Sequence, residues 1–479
     1  MRSTLVLMLL LLGCDGQNDL LGSTDLRIDG APAGEGDPES EDPRMCVTET
    51  GEIHVVWVDD RDGTAAVWFT SSTNGGTTWL RPPIRVNRGG GAAFAPDISC
   101  SNAVVHVAWE DDRDGELENH NIFYNRSGDG GVTWNDVDRR LTEDVDGESM
   151  SLGPDLVAVG DDLYVAWFDN VNGAYDIYIT ASHDRGQTWS VPLRLDSDDA
   201  GQAYSAWPRI AADSTQHVYV VWEDSRGGMS DIYAAASSTG GANFWPEVRI
   251  DGGDALGQHD SFSPRLDTDE DGSVYVVWHD TRNGTQRDIY MNWSINHGQN
   301  WATDAARVDS DAAGFFDSLN PDVLVVDGTT YVAWQDARAG GYDVFVRSAE
   351  SGVFYEAEQR ADTDAAGRGN SLHPQVLRNG DTVVVIWEDR RDDDGGEGYN
   401  DVYYNYSLDA GTTWSSRDLR VDSIAAGTSY AVDIQAALYR DPEGGVVTLH
   451  AVWTDGRRGT ADIYSQTLPV GEEASFTVE

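Results

Sequence analysis

The sequence predicts an all-β chain closed into a single β-propeller of eight four-stranded blades. Three observations carry that expectation. An apolar run ending in Trp, with Asp two residues on, recurs eight times along the 479 residues. The strings around it, such as "VYVVW" and "DIYIT", are short, β-branched and aromatic, and few segments show a helical period. The ends of the array are complementary, because a lone "LRID" strand precedes the first copy and the last copy lacks its own. Four short strands per unit of about 40–60 residues is the pattern of a propeller blade.

Each unit opens with a strand that follows Ser-x-x-Pro: Ser40 with Pro43, Ser151 with Pro154, Ser205 with Pro208, Ser261 with Pro264, Ser318 with Pro321, and Ser371 with Pro374. The second unit has Ala93 before Pro96, and the last keeps Ser429 without the Pro. The second strand carries the Trp: Trp57, Trp109, Trp167, Trp222, Trp278, Trp334, Trp387 and Trp453, at spacings of 52, 58, 55, 56, 56, 53 and 66. Arg stands four residues after the Trp in seven copies, and the third has Val171 instead. The third strand starts at Asp-Ile-Tyr or a variant, as at Asp176, Asp231 and Asp288. The fourth carries Arg-apolar-Asp, as in "LRLD" from Leu193 and "VRID" from Val248. The N-terminal "LRID" (Leu26 to Asp29) is expected to complete the eighth blade, since ring closure removes two open sheet edges. The rival for that place is the C-terminal "ASFTVE".

Composition bounds the partners. The formal charge is -51, from 83 acidic against 32 basic residues, and every basic residue is Arg. So acidic a surface excludes nucleic acid and anionic lipid headgroups as partners and favours cations. With 17 Trp and 19 Tyr the chain is far too aromatic for an acidic disordered protein. A monomeric propeller is expected.

Residues 1–14 read as an export signal: Arg2, an apolar run from Leu5 to Leu12, then Gly13 and Cys14. "LLGC" resembles the lipobox of bacterial lipoproteins, which implies lipidation of Cys14, a membrane partner through that anchor, and a place in the bacterial cell envelope. Residues 15–24 then form a polar tether and 25–479 the propeller. Cys46 and Cys100 fall on the first strands of neighbouring blades, where a disulfide or two buried thiols are both open.

A second motif lies between the third and fourth strands. It reads "SSTNGGTTW" at Ser71, "SGDGGVTW" at Ser127, "SHDRGQTW" at Ser182 and "SLDAGTTW" at Ser407, with a near copy, "SINHGQNW", at Ser294. This S-x-D-x-G-x-T-W pattern resembles the Asp box, or BNR repeat, of the sialidase-like propellers. Its residue types suit a tight turn: Asp and Ser bond nearby backbone N–H groups, Gly takes positive φ, and Trp packs down. The resemblance implies that these turns lie opposite the active face, so that the second-to-third and fourth-to-first connections ring the mouth of the channel.

The same resemblance implies an enzyme with three Arg gripping a carboxylate, a Tyr–Glu nucleophile pair and an Asp acid/base. The chain departs from it. Eight blades replace the usual six, and Arg stands in seven nearly equivalent places, whereas a catalytic constellation is asymmetric. No catalytic residue is therefore assigned. Arg226 and its equivalents are expected to brace their hairpins against Asp224-type or Asp231-type carboxylates. Because they face the mouth, Arg61, Arg113, Arg226, Arg282 and Arg338 are also the candidate ligand-binding cations, with Tyr204, Phe262 and Phe315 as aromatics for stacking on sugar rings. Asp196, Asp198 and Asp199 offer oxygen ligands at short spacing suited to calcium, and no other cofactor is implied. The function expected is a cell-envelope lipoprotein that binds a glycan or an envelope protein, with an exo-glycosidase of sialidase type as the alternative.

Overall fold

The computed structural model describes residues 25–30, 38–101, 103–114, 119–143, 149–350, 352–354, 357–393, 396–442 and 445–471. The signal segment with Cys14, the tether and "ASFTVE" lie outside the described residues.

Eight antiparallel sheets follow one another around a ring, each ordered first-second-third-fourth strand, and the sixth carries an extra two-residue strand, Val353–Phe354, that also pairs with its third. Blade four shows the plan: Ser205–Ala212, Val218–Asp224, Asp231–Ser237 and Val248–Arg249. Its register sets Ser205 opposite Asp224, Asp224 opposite Asp231, and Tyr233 opposite Arg249. The eighth blade is Ala431–Arg440, Val447–Asp455 and Asp462–Pro469, completed by Leu26–Arg27 from the N-terminal side. Leu26 pairs with Ser465 and Arg27 with Tyr464, and Ile28 N donates to Ile463 O at 2.8 Å. The ring is thus closed as the unmatched ends predict. Ala431 stands opposite Asp455, in the place of Ser40 and its equivalents. The sequence alignment put Ser429 there. Ser429 lies two residues earlier and still reaches Asp455, at 2.7 Å.

The core lies between blades rather than within one sheet. Tyr164, Phe168 and Ile179 of blade three pack against Ile210, Val220 and Trp222 of blade four in one apolar layer, and comparable layers recur around the ring. All eight second-strand Trp are at most 1% exposed. Truncating a side chain of that size in a packed core costs about 3–5 kcal/mol. The turns carrying the second motif lock successive blades together. Ser127 Oγ accepts from Gly131 N at 2.8 Å, and Asp129 accepts from Thr133 N at 2.8 Å and Thr133 Oγ1 at 2.6 Å. Trp134 then meets Phe69 of the preceding blade edge-on at 5.1 Å, so the aromatic packs across the interface between blades.

Every first strand carries a bulge at its upper end. The residue before the Pro position is left-handed in all eight blades: Asp42, Ala95, Gly153, Trp207, Ser263, Asn320, His373 and Asp433, with φ from 45° to 58°. A bulge leaves one residue outside the ladder and re-aims its side chain. Only one of the eight is Gly, so the ring holds seven strained positions at the channel rim. Cys46 and Cys100 are joined as a disulfide across blades one and two, with Cα atoms 6.0 Å apart.

Candidate functional site

The motif that repeats is a clamp. Asp224 is fully buried and accepts from Ser205 Oγ at 3.0 Å, Trp222 Nε1 at 3.2 Å, Arg226 N at 2.9 Å, Arg226 Nε at 2.8 Å and Arg226 Nη2 at 2.5 Å. Burial pushes the Asp224 carboxyl up, but the Arg226 hydrogen bonds outweigh it and hold the group below its ordinary value. The guanidinium lies over the Tyr233 ring at 4.2 Å, and its last nitrogen pairs with Glu247. Arg61, Arg113, Arg282 and Arg338 repeat the arrangement over Trp68, Phe123, Tyr290 and Phe345, at 4.1 to 4.3 Å.

These five guanidiniums were candidate ligand-binding groups. The structure engages each with a buried Asp: their side chains are 9–21% exposed, and turning outward toward a ligand would strip that carboxylate of its counter-charge. Asp231 is not part of this clamp, since Arg249 of the fourth strand holds it at 2.9 Å.

The Asp-rich loops are likewise internally filled. Arg194 lies 3.0 Å from Asp176, 2.7 Å from Asp196 and 2.8 Å from Asp198, whereas Asp199 is exposed and outside the group. Calcium at Asp196, Asp198 and Asp199 would therefore have to displace a guanidinium. Arg307 and Arg360 fill the same place among Asp288, Asp309 and Asp311 and among Asp343, Asp362 and Asp364.

What does not repeat lies along the channel. The inner strands line a cavity of about 460 Å³. The residue after the Pro position points into it from every blade: Arg44, Asp97, Asp155, Arg209, Arg265, Asp322, Gln375 and Gln435. Three Arg, three Asp and two Gln make a ring with no net formal charge. Each Asp braces the next blade: Asp97 accepts from Leu156 N at 2.7 Å, Asp155 from Ile210 N at 2.7 Å, and Asp322 from Val376 N at 2.9 Å. Burial and the neighbouring Asp155 push Asp97 up to about 7, and burial pushes Asp322 up to about 6. Sequence reasoning missed this ring. Its signal was present, as a varied residue at a fixed place beside an otherwise constant Pro.

The rim above the ring is asymmetric. At blades three and four, Phe168, Tyr175, Tyr204 and Trp207 form one aromatic patch, with centroids 5.0 Å apart for Phe168–Tyr175, 5.2 Å for Phe168–Trp207 and 5.4 Å for Tyr175–Tyr204. Trp207 is 52% exposed and Tyr204 43%. Of the other predicted aromatics, Phe262 packs on His279 at 6.0 Å, and Phe315, 68% exposed, pairs with Phe316 at 4.9 Å. At blades seven, eight and one the rim is polar. His373 Nδ1 lies 3.4 Å from Glu388 Oε2, and Asp433 N donates to Glu388 Oε1 at 3.2 Å. Burial, then Glu388 and Asp42, raise the Asp433 carboxyl.

No protein-family model matches the chain, and no curated protein does. Solved structures do. BP39L lectin from Burkholderia pseudomallei superposes with a TM-score of 0.50 at 13% identity, over 80% of this chain and 99% of the lectin. The polysaccharide lyase Uly1 gives 0.50 at 11%, over 82% and 94%. The NanB sialidase of Streptococcus pneumoniae gives 0.37 at 11%, over 78% and 67%. At such identities the likeness is one of fold: the chain is an eight-bladed β-propeller.

Proposed function

We propose that the upper face binds a saccharide without cleaving it, with Trp207 as the stacking platform and the channel ring as the hydrogen-bonding floor. The observation that carries this reading is Trp207 itself. A half-exposed indole is held in a left-handed conformation at the rim, where the equivalent residues are mostly small or polar. The left-handed bulge recurs in every blade, and what is particular to this one is the exposed indole it presents. The patch with Tyr204 supplies apolar ring faces, and Arg209, two residues after Trp207 on the same strand, lines the channel cavity and supplies donors. A lectin and a polysaccharide lyase share this fold, which makes glycans the first ligands to test, by fold-level analogy.

The second reading is an exo-glycosidase of sialidase type, favoured by one fact: Arg44, Arg209 and Arg265 converge on one cavity. Three Asp interleave with them, and neither Tyr nor Glu stands among the residues lining that cavity, so a carboxylate grip with a Tyr–Glu nucleophile is not assembled there. The experiment is a glycan array followed by product analysis of each hit. Bound glycan recovered intact supports the binding module. Turnover of a fluorogenic sialoside, lost in Arg209→Ala, replaces it with the enzyme.

In this proposal the propeller is an exported monomer, tethered by residues 15–24 to a lipidated Cys14, and no cofactor takes part. Radiolabelled palmitate is expected to enter the protein and to be absent from Cys14→Ala. Label that survives the substitution rejects the anchor.

A further inference from the structure

The opposite face carries a different cluster. Asp213 and His217 sit on the hairpin joining the first two strands of blade four, and His297 sits on the third-to-fourth-strand turn of blade five. His217 Nδ1 lies 3.1 Å from Asp213 Oδ2, and His297 Nδ1 lies 3.6 Å from the same oxygen. The two imidazoles stack at 3.8 Å with their planes 15° apart.

Four groups of three or more metal-capable side chains occur among the described residues. Three are the Asp trios around Arg194, Arg307 and Arg360, where a guanidinium already supplies the positive charge. The group of Asp213, His217 and His297 holds no arginine partner: the ion pairs of Asp213 among the described residues are with these two imidazoles. It is also the group whose donor set is mixed nitrogen and oxygen.

We infer that Asp213, His217 and His297 form a site for a divalent transition metal, Zn²⁺ in the first instance, that bridges blades four and five. Two imidazoles and one carboxylate are a donor set such ions take. Tetrahedral ligands at about 2.0–2.1 Å from a metal stand about 3.3 Å from one another, and the 3.1 and 3.6 Å separations bracket that value. The carboxylate is aimed by its own surroundings. Asp213 Oδ1 accepts from Thr215 N at 2.8 Å, Thr215 Oγ1 at 2.7 Å and His217 N at 3.1 Å, and Tyr219 Oη donates to Oδ2 at 3.3 Å. Partners of this kind orient ligands and hold their protonation state. Burial opposes the charge on Asp213, but the bonds from Thr215 and His217 keep its carboxyl below the ordinary value. Two competing contacts must be given up, His217 Nδ1 to Thr215 Oγ1 at 2.7 Å and His297 Nδ1 to Tyr219 Oη at 3.4 Å. The parallel rings must also turn toward a common point, about a torsion that is broad for histidine. Three protein ligands leave a fourth position for water or for a donor on a bound molecule.

Because the chain carries a charge of -51, weak cation binding elsewhere must be suppressed. The experiment is equilibrium dialysis of tag-free protein against ZnCl₂ in excess Ca²⁺, with X-ray absorption on the loaded sample. The expected result is one Zn²⁺ per chain with two nitrogen ligands, and affinity at least about tenfold weaker in His297→Ala and in His217→Ala. His297 lies on a turn with its side chain 31% exposed, and the melting temperature of His297→Ala without metal, matched to the parent's, checks that it is folded. Stoichiometric binding unchanged in both variants, an all-oxygen coordination shell, or no stoichiometric binding overturns the inference.

Discussion

Replacing Arg226 by Ala tests whether the repeated motif is a load-carrying clamp or a surface ion pair. The substitution leaves Asp224 fully buried, with Ser205, Trp222 and one backbone N–H as donors but no counter-charge. Removing one partner of a buried pair costs about 3–5 kcal/mol. An exposed pair of the same residues contributes about 0–1 kcal/mol, so the two accounts separate cleanly. Urea unfolding followed by tryptophan fluorescence reads the difference. The double variant Arg226→Ala/Asp224→Asn removes the stranded charge and is expected to regain most of the loss, since the amide oxygen still accepts from Ser205 and Trp222. The pH dependence has a definite sign. The native Asp224 carboxyl lies below its ordinary value, so the pair's contribution is present above about pH 3.9 and is lost as pH falls through the native value. The gap between Arg226→Ala and parent must therefore narrow as the solution is acidified. A single-variant loss under about 1 kcal/mol, or a double variant less stable than the single, refutes the clamp.

Two further outcomes follow from ring closure and the disulfide. Deleting residues 25–29 removes the Leu26–Arg27 strand, buried Ile28 and the 2.7 Å pair of Asp25 with Arg457, and should abolish cooperative melting by circular dichroism; an unchanged melt rejects closure by this strand. The Cys46–Cys100 bond spans 54 positions, a loop whose closure is worth about 4 kcal/mol, so reduction should lower urea stability by that order, and equal curves with and without reductant contradict it.

Much of this fold was legible because a blade repeats its own physics. The Trp spacing counts the blades, and the unmatched "LRID" names the closing strand, because both are periodic along the chain. Which side chains meet carries no such signal. The sequence left Arg226 either Asp224 or Asp231; it holds Asp224, Arg249 of the same blade holds Asp231, and Trp134 crosses to Phe69 of the preceding blade. The same gap hid the channel ring. Arg44, Asp97 and Arg209 are far apart in sequence and meet only because the ring closes. Tyr204 was legible as an exposed aromatic, but its joining Trp207 through Phe168 and Tyr175 depends on the bulge, which no composition signal marks.

The central claim is that the repeat builds the molecule and that function sits where the repeat breaks. Calorimetric titration of one array-identified glycan into Trp207→Ala and Arg226→Ala tests it most directly. The account predicts that Trp207→Ala keeps the parent's melting temperature but binds at least about tenfold more weakly, a stacking contact being worth about 1–3 kcal/mol by analogy with base–aromatic stacking. It predicts that Arg226→Ala is destabilised but, below its melting point, binds with the parent's Kd. The reverse pattern, with binding intact in Trp207→Ala and lost in folded Arg226→Ala, contradicts it.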